Sequence, residues 1–130
     1  SLHIRTCSLG ADDHNNGNIL LEQHKEALNY FNSNDMNVLV FSDNNVFASK
    51  YINELKKTSD KQFHLIDETQ FKSLFVASRC NNHVAHVSTL SFWMSYLSNQ
   101  NNGETIYFKE FEKCHTNQMI HPRLEWKLFD

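Results

Sequence analysis

Short β-type runs and longer stretches of helical period alternate along the whole chain, and this alternation constrains the fold more than any other feature. Strands that succeed one another through helices pair in parallel, because only a crossover can return the chain to the same end of a sheet. Leu2 to Thr6 reads as the first strand, and a polar loop, Ser8 to Asn18, follows it. Ile19 to Phe31 reads as a helix with Leu21, Leu28 and Phe31 on one face. Asn37 to Ser42 has the length and β-branching of a buried strand. A second helix is expected from about Asn45 to Lys57, with Phe47, Tyr51 and Leu55 at i, i+4 and i+8.

The same alternation continues to the end. Gln62 to Ile66 reads as a third strand, and Asp67 with Gln70 reads as the N-terminal box of a helix reaching Cys80. Phe71, Leu74 and Phe75 form the apolar stripe expected to face its core. His83 to Val87 is the fourth strand, Thr89 to Leu97 an aromatic-rich helix expected to be buried on much of its surface, and Thr105 to Phe108 the fifth strand. The tail to Asp130 carries little pattern beyond Trp126. The fold expected is α/β: a Rossmann-like three-layer sandwich on a mostly parallel five-stranded sheet with right-handed crossovers.

Residues 1–130 suit one domain, and with no initiator Met before the first strand the chain is read as a piece of a longer protein. With 40% apolar residues, including ten Phe, the core can be filled. Twelve basic against fifteen acidic residues leave a net charge of −3, which gives no electrostatic case for nucleic acid as a partner. No run approaches the length of a membrane span. Cys7, Cys80 and Cys114 are too few and too scattered for a disulfide scaffold or a zinc site.

In a parallel sheet, ligands gather beyond the carboxyl ends of the strands. Three polar clusters fall there. His3 and Arg5 share one face of the first strand, and Arg5 either reaches a phosphate or pairs with Asp12 or Asp13. Ser88, Thr89, Leu90 and Ser91 open the aromatic helix, where free N–H groups and hydroxyls make an anion site or Ser88 acts as an ordinary cap. Ser42, Asp43 and Asn44 follow the second strand, where an acid meets a ribose or caps the next helix. His83 and His86 lie three apart on a strand and so face opposite sides, which disfavours a shared metal. Trp93 and Tyr96 are expected in the core rather than as stacking platforms. The chain has no GxGxxG, no phosphate-binding GxxxxGK, no GxSxG elbow and no Asp-x-Asp at a strand end. A signalling receiver is disfavoured: Asp67 could serve at the end of the third strand, but Asp12 and Asp13 stand too far down their loop, and no Pro follows Lys109.

At these residues the chain resembles the α-1,2-fucosyltransferases, glycosyltransferase family 11. His3-Ile4-Arg5 is similar to the start of that family's His-x-Arg-Arg-Gly-Asp motif, and Val40-Phe41-Ser42-Asp43 to its strand-plus-acid segment. Cys80-Asn81-Asn82-His83 and Ser88-Thr89-Leu90-Ser91-Phe92-Trp93, with Tyr96-Leu97 beyond, resemble its Cys-Asn/Lys-His and Ser-Thr-Phe-Trp block. Gly103 to Tyr107 and Leu124-Glu125-Trp126 resemble its closing segments, in order and at kept spacing.

The resemblance implies the carboxy-terminal donor half of a GT-B enzyme that binds GDP-L-fucose. It implies transfer of fucose with inversion to the 2-hydroxyl of a terminal galactose on a glycan, without a metal. It also implies a lumenal Golgi membrane location with the anchor elsewhere in the protein. Arg5 would bind the β-phosphate beside His3, and Thr89, Ser91 and the Phe92 backbone would hold the pyrophosphate. The acceptor half would precede residue 1. Two departures accompany it: Thr6-Cys7-Ser8 stands where the family has Arg-Gly-Asp, and Ser73 stands where an acid usually contacts guanine. These departures favour an alternative, a catalytically impaired relative that binds nucleotide or glycan.

Overall fold

The structure is a computed structural model of the chain, and it describes residues 1–4, 16–31, 35–85, 88–98, 103–108 and 126–129. It is an α/β, Rossmann-like arrangement in which every strand pair among the described residues is parallel. The chain divides into two compact units, Leu2–Asp67 and Glu68–Asp130, with Ser1 belonging to the latter.

In the first unit, β1 (Leu2–Ile4), β2 (Asn37–Ser42) and β3 (Gln62–Leu65) lie in the order β3-β2-β1. Val40 is the hinge of the register, opposite Leu2 on one side and Leu65 on the other. A strand paired on both edges and covered on its faces must be apolar at nearly every position, and Val38, Val40 and Phe41 are all buried. Two helices, α1 (Asn16–Tyr30) and α2 (Asn45–Lys56), supply the cover.

The buried face of α1 runs through His24, Ala27 and Leu28 to Phe31 just beyond the helix, with Gln23 beside it, while Leu21 is only half-buried. His24 occupies the place on the stripe that the leucine was expected to take, because its ring has a partner: Nδ1 lies 2.8 Å from the Tyr51 hydroxyl and the rings meet edge to face. Burial, with the charge of Glu22 adding to it, pushes the Tyr51 phenol upward, so it keeps its proton at any physiological pH.

In the second unit, β4 (His83–Ala85), β5 (Thr105–Phe108) and β6 (Trp126–Phe129) lie in that order. The five expected strands are present, and β6 adds a further one on β5 from the tail that showed no pattern. Two helices belong here, α3 (Gln70–Ala77) and α4 (Thr89–Ser98), and they pack on one another.

Both turn the expected faces around. In α3, Ser73 and Ala77 are buried, whereas Phe71 is 82% and Phe75 60% exposed. In α4, Ser91, Met94, Ser95 and Ser98 are buried, and Trp93, Tyr96 and Leu97 are exposed. Neither the apolar stripe of α3 nor Trp93 and Tyr96 is core in this unit. Small side chains face inward because they let a helix axis approach its neighbours closely. The displaced rings satisfy one another instead: Phe92 stacks on Tyr96 with centroids 5.8 Å apart, Trp93 meets both edge-on, and Arg79 lies over Phe75.

The helix starts also differ from expectation. Thr69, not Asp67, caps α3, its hydroxyl accepting from the Lys72 N–H and its carbonyl from Ser73 N–H. Asp67 instead accepts from the Asn45 side chain at 2.6 Å. Among the described residues no helix is long and apolar enough to cross a membrane.

The turn before β4 is locked against the one before β5. His83 N–H donates to the Glu104 carbonyl, Glu104 N–H donates to Asn82 Oδ1, and a Cβ at Gly103 would collide with the Asn81 carbonyl. Gly103→Ala is therefore expected to lower stability by about 1–3 kcal/mol. Phe71→Gln, by contrast, is expected to change it by no more than about 0.5 kcal/mol. Thermal unfolding of the two variants beside the parent checks both, and the reverse ranking would show that Phe71, not Ser73, is on the inward face of α3.

Candidate functional site

The first turn of α4 follows the carboxyl end of β4, the end at which parallel sheets bind ligands. Ser88 closes this turn as its cap. Its Oγ accepts from Ser91 N–H at 3.1 Å, its carbonyl accepts from Phe92 N–H at 3.0 Å, and its hydroxyl proton goes to Ser91 Oγ. The hydroxyls of Ser88 and Ser91 are thus turned inward, at 4% and 1% exposure, while Thr89 is exposed. Thr89 and Leu90 carry the early N–H groups that helical geometry leaves to an outside partner. Of the four residues proposed for this turn, Thr89 is the one whose side chain faces solvent; Ser88, Ser91 and Phe92 shape the helix beneath it.

His3 and Asp43 belong to the other unit. His3 stands in the middle of β1 opposite Phe41 and is 5% exposed. Ile4 pairs with Ser42, so Asp43 follows the carboxyl end of β2 where β1 is also ending, and Asp43 is exposed. The capping role in this loop falls to Asn44: its Oδ1 accepts from Phe47 N–H at 3.0 Å, and its own N–H donates to Ser42 Oγ. The cap of α2 is therefore Asn44. Arg5, the Thr6-Cys7-Ser8 departure, Asp12, Asp13, His86 and Cys114 lie outside the described residues.

Ser73 is buried on α3, and its hydroxyl donates to the Glu68 carbonyl at 3.5 Å. The two upstream acids lie before the helix, Glu68 paired with Lys72 at 3.0 Å and Asp67 bound to Asn45. A shallow hollow along α3 is lined by Glu68, Phe71, Lys72, Phe75 and Val76 and is remote in kind from a phosphate site, being walled by carbon. Among the described residues no three His, Cys, Asp or Glu side chains stand close enough together to hold a metal ion. Cys80 is a half-buried free thiol.

Among the described residues of this unit, one polar group bonded at both ends was read from the sequence as half of a weak His pair and as the end of the Cys-Asn/Lys-His-like segment. His83, at the start of β4, has Nδ1 at 2.7 Å from Ser1 Oγ and Nε2 at 2.5 Å from Ser98 Oγ. Ser98 Oγ also lies 2.9 Å from the Ser95 carbonyl, so the hydroxyl stands between its own helix and the ring. The signal was present in the spacing of Ser88, Ser91, Ser95 and Ser98, which lie on one helical face.

Burial, opposed by the Cys80 carbonyl, lowers the His83 pKa to about 3. The unfolded chain takes up a proton below its ordinary value of about 6.5, and the folded chain refuses it down to about 3. The contribution to stability is thus complete above the unfolded value and is lost as pH falls through that window. Unfolding followed from pH 7 down to pH 4 should show a loss steepened by up to about 1.4 kcal/mol per pH unit. His83→Gln should remove that part of the slope, and an identical pH dependence in both proteins would mean that His83 is not held neutral.

No curated protein and no solved structure matches the chain significantly. One family model does: that of glycosyl transferase family 11, over residues 21–127. The match begins within α1 and ends in β6, so it takes in both units and more than four-fifths of the sequence. Enzymes of this kind move a sugar from a nucleotide donor to a glycan acceptor, which accords with an open helix turn beyond a parallel strand. By this match the chain belongs to glycosyl transferase family 11.

Proposed function

We propose that the chain is the donor half of a galactoside 2-α-L-fucosyltransferase. It binds GDP-L-fucose and takes part in transferring fucose, with inversion, to the 2-hydroxyl of a terminal galactose. The observation that carries this reading is the family match from α1 to β6, which takes in the α4 turn with its exposed Thr89. By the family resemblance, Thr89 and the first N–H groups of α4 would bind the diphosphate, and Asp43 would meet the nucleoside ribose. By the same resemblance, Arg5, with His3 two residues before it, would bind the β-phosphate. As the glycosidic bond breaks, GDP gains negative charge, and fixed donors aimed at it lower the barrier. The dipole of α4 adds about 0.3–1 kcal/mol at its first turn. Arg5 supplies a full positive charge, so the departure of GDP needs no metal. The acceptor half and any general base come from another part of the protein, and the whole enzyme works on the lumenal side of the Golgi membrane.

A second reading, an impaired relative that retains nucleotide binding, is favoured by Ser73. That residue is buried and bonded to its own chain where an acid is expected, so it offers the guanine no carboxylate.

In the full-length protein, GDP or GDP-fucose at about a hundred times its Kd should raise stability by about 2.7 kcal/mol. No change in melting at millimolar GDP would remove the donor site. Radiolabelled GDP-fucose with a β-galactoside then separates the two readings, since the impaired relative binds without transfer. In an active protein, Arg5→Ala should abolish turnover with the fold intact, and EDTA should leave the rate unchanged; strong inhibition by EDTA would mean a metal takes part.

A further inference from the structure

We infer that His83 is a positioning residue: by its hydrogen bond to Ser98 it sets the register of α4 on β4, and so the place of the first turn that presents Thr89. The inference rests on the reading of that turn as the diphosphate cradle. The fully buried residues of α4 are Ser91, Met94, Ser95 and Ser98, so Met94 is the one large side chain among them. Helices ordinarily take their register from ridges of large side chains seated in grooves. A face of serines offers shallow ridges and leaves the helix free to slide unless a directed bond stops it.

The serines divide the work. Ser88 and Ser91 bond each other within the first turn. Ser95 spends its hydroxyl on the Ser91 and Phe92 carbonyls of its own helix. Ser98 reaches off the helix, to His83 Nε2. The ring is itself fixed in azimuth, because Nδ1 is held by Ser1 Oγ, and its strand is fixed by the ladder to Thr105 and Ile106 on β5. The chain of bonds therefore runs from a rigid strand, through a ring gripped at both nitrogens, to the last turn of α4. A helix transmits an axial shift almost undiminished, so a slip at Ser98 moves Thr89, about 13–14 Å away along the axis, by the same distance. A misplacement of about 1 Å at a site of chemistry can cost about a hundredfold in rate.

The test uses the full-length protein with His83→Leu, Ser98→Ala and His83→Gln, in which the glutamine amide can still hydrogen-bond Ser98. Ser98→Ala is the mild member, expected to fold even if His83→Leu does not. At a temperature well below melting, His83→Leu and Ser98→Ala should weaken GDP binding about five- to tenfold, the size of one lost buried hydrogen bond. They should lower kcat for fucose transfer at least as much, with the acceptor KM unchanged, and His83→Gln should recover most of both.

Amide hydrogen exchange reads the helix without any ligand: in Ser98→Ala the first turn of α4 should exchange about tenfold faster, with β5 unchanged. Folded Ser98→Ala protein with parental exchange in that turn would overturn the latch whatever the nucleotide does. Faster exchange with no GDP binding in any variant, the parent included, would instead overturn the donor reading and leave the latch standing. Lower melting points with unchanged GDP affinity, in a parent that binds GDP, would reduce His83 to a structural residue and refute the positioning role.

Discussion

The bond on which the second unit depends is the one between an imidazole and a serine hydroxyl beneath α4. Most helices on a parallel sheet are held by interlocking aliphatic side chains, and polar bonds are secondary. Here the proportions are reversed, since the inward residues of α4 are serines with Met94 among them. A buried imidazole has to remain neutral and has to satisfy both nitrogens. Ser1 on one side and Ser98 on the other do this, which ties the strand, the helix and the ring into one arrangement with few alternatives.

The order of elements was legible in the sequence because it rests on period, and period survives whatever the neighbours do. Strand β2 spans the expected Asn37–Ser42, and β5 the expected Thr105–Phe108. The faces of the helices were legible only where burial follows size. In α2 it does, with Tyr51, Ile52 and Leu55 buried. In α3 and α4 it does not, because both pack at close range through Ser, Ala and Met and put Phe71, Phe75 and Trp93 outside. A pattern argument that assigns the largest apolar residues to the core cannot see that choice, which depends on how near two axes come. Strand β6 escaped for another reason: Trp126–Phe129 is brief, and its identity depends on pairing with β5 rather than on its own composition.

The position of the candidate turn was legible in outline. The turn at Ser88 and Thr89 was singled out from its position between a strand and a helix, and the structure separates the roles within it: Ser88 caps, Ser91 turns in, Thr89 stays in reach of solvent. The acid of the β2 loop was also picked out, and the doubt over whether it caps α2 is resolved by Asn44, whose side chain does so. His83 was missed as a network centre because a hydrogen bond between residues fifteen apart leaves no local trace. Its partners carry the trace instead, as serines recurring on one side of a helix that composition alone would have pointed the other way.

That helix has its polarity inside out, with hydroxyls beneath and aromatic rings above. The usual hierarchy of tolerated substitutions is inverted along it. Enlarging Ser95 to leucine, conservative by hydropathy for an inward position, would pry the helix off its strand, while the exposed Leu97 could become a polar residue with little harm to this unit. Any attempt to improve the protein by making its interior greasier and its exterior wetter would begin, at α4, by destroying what holds it.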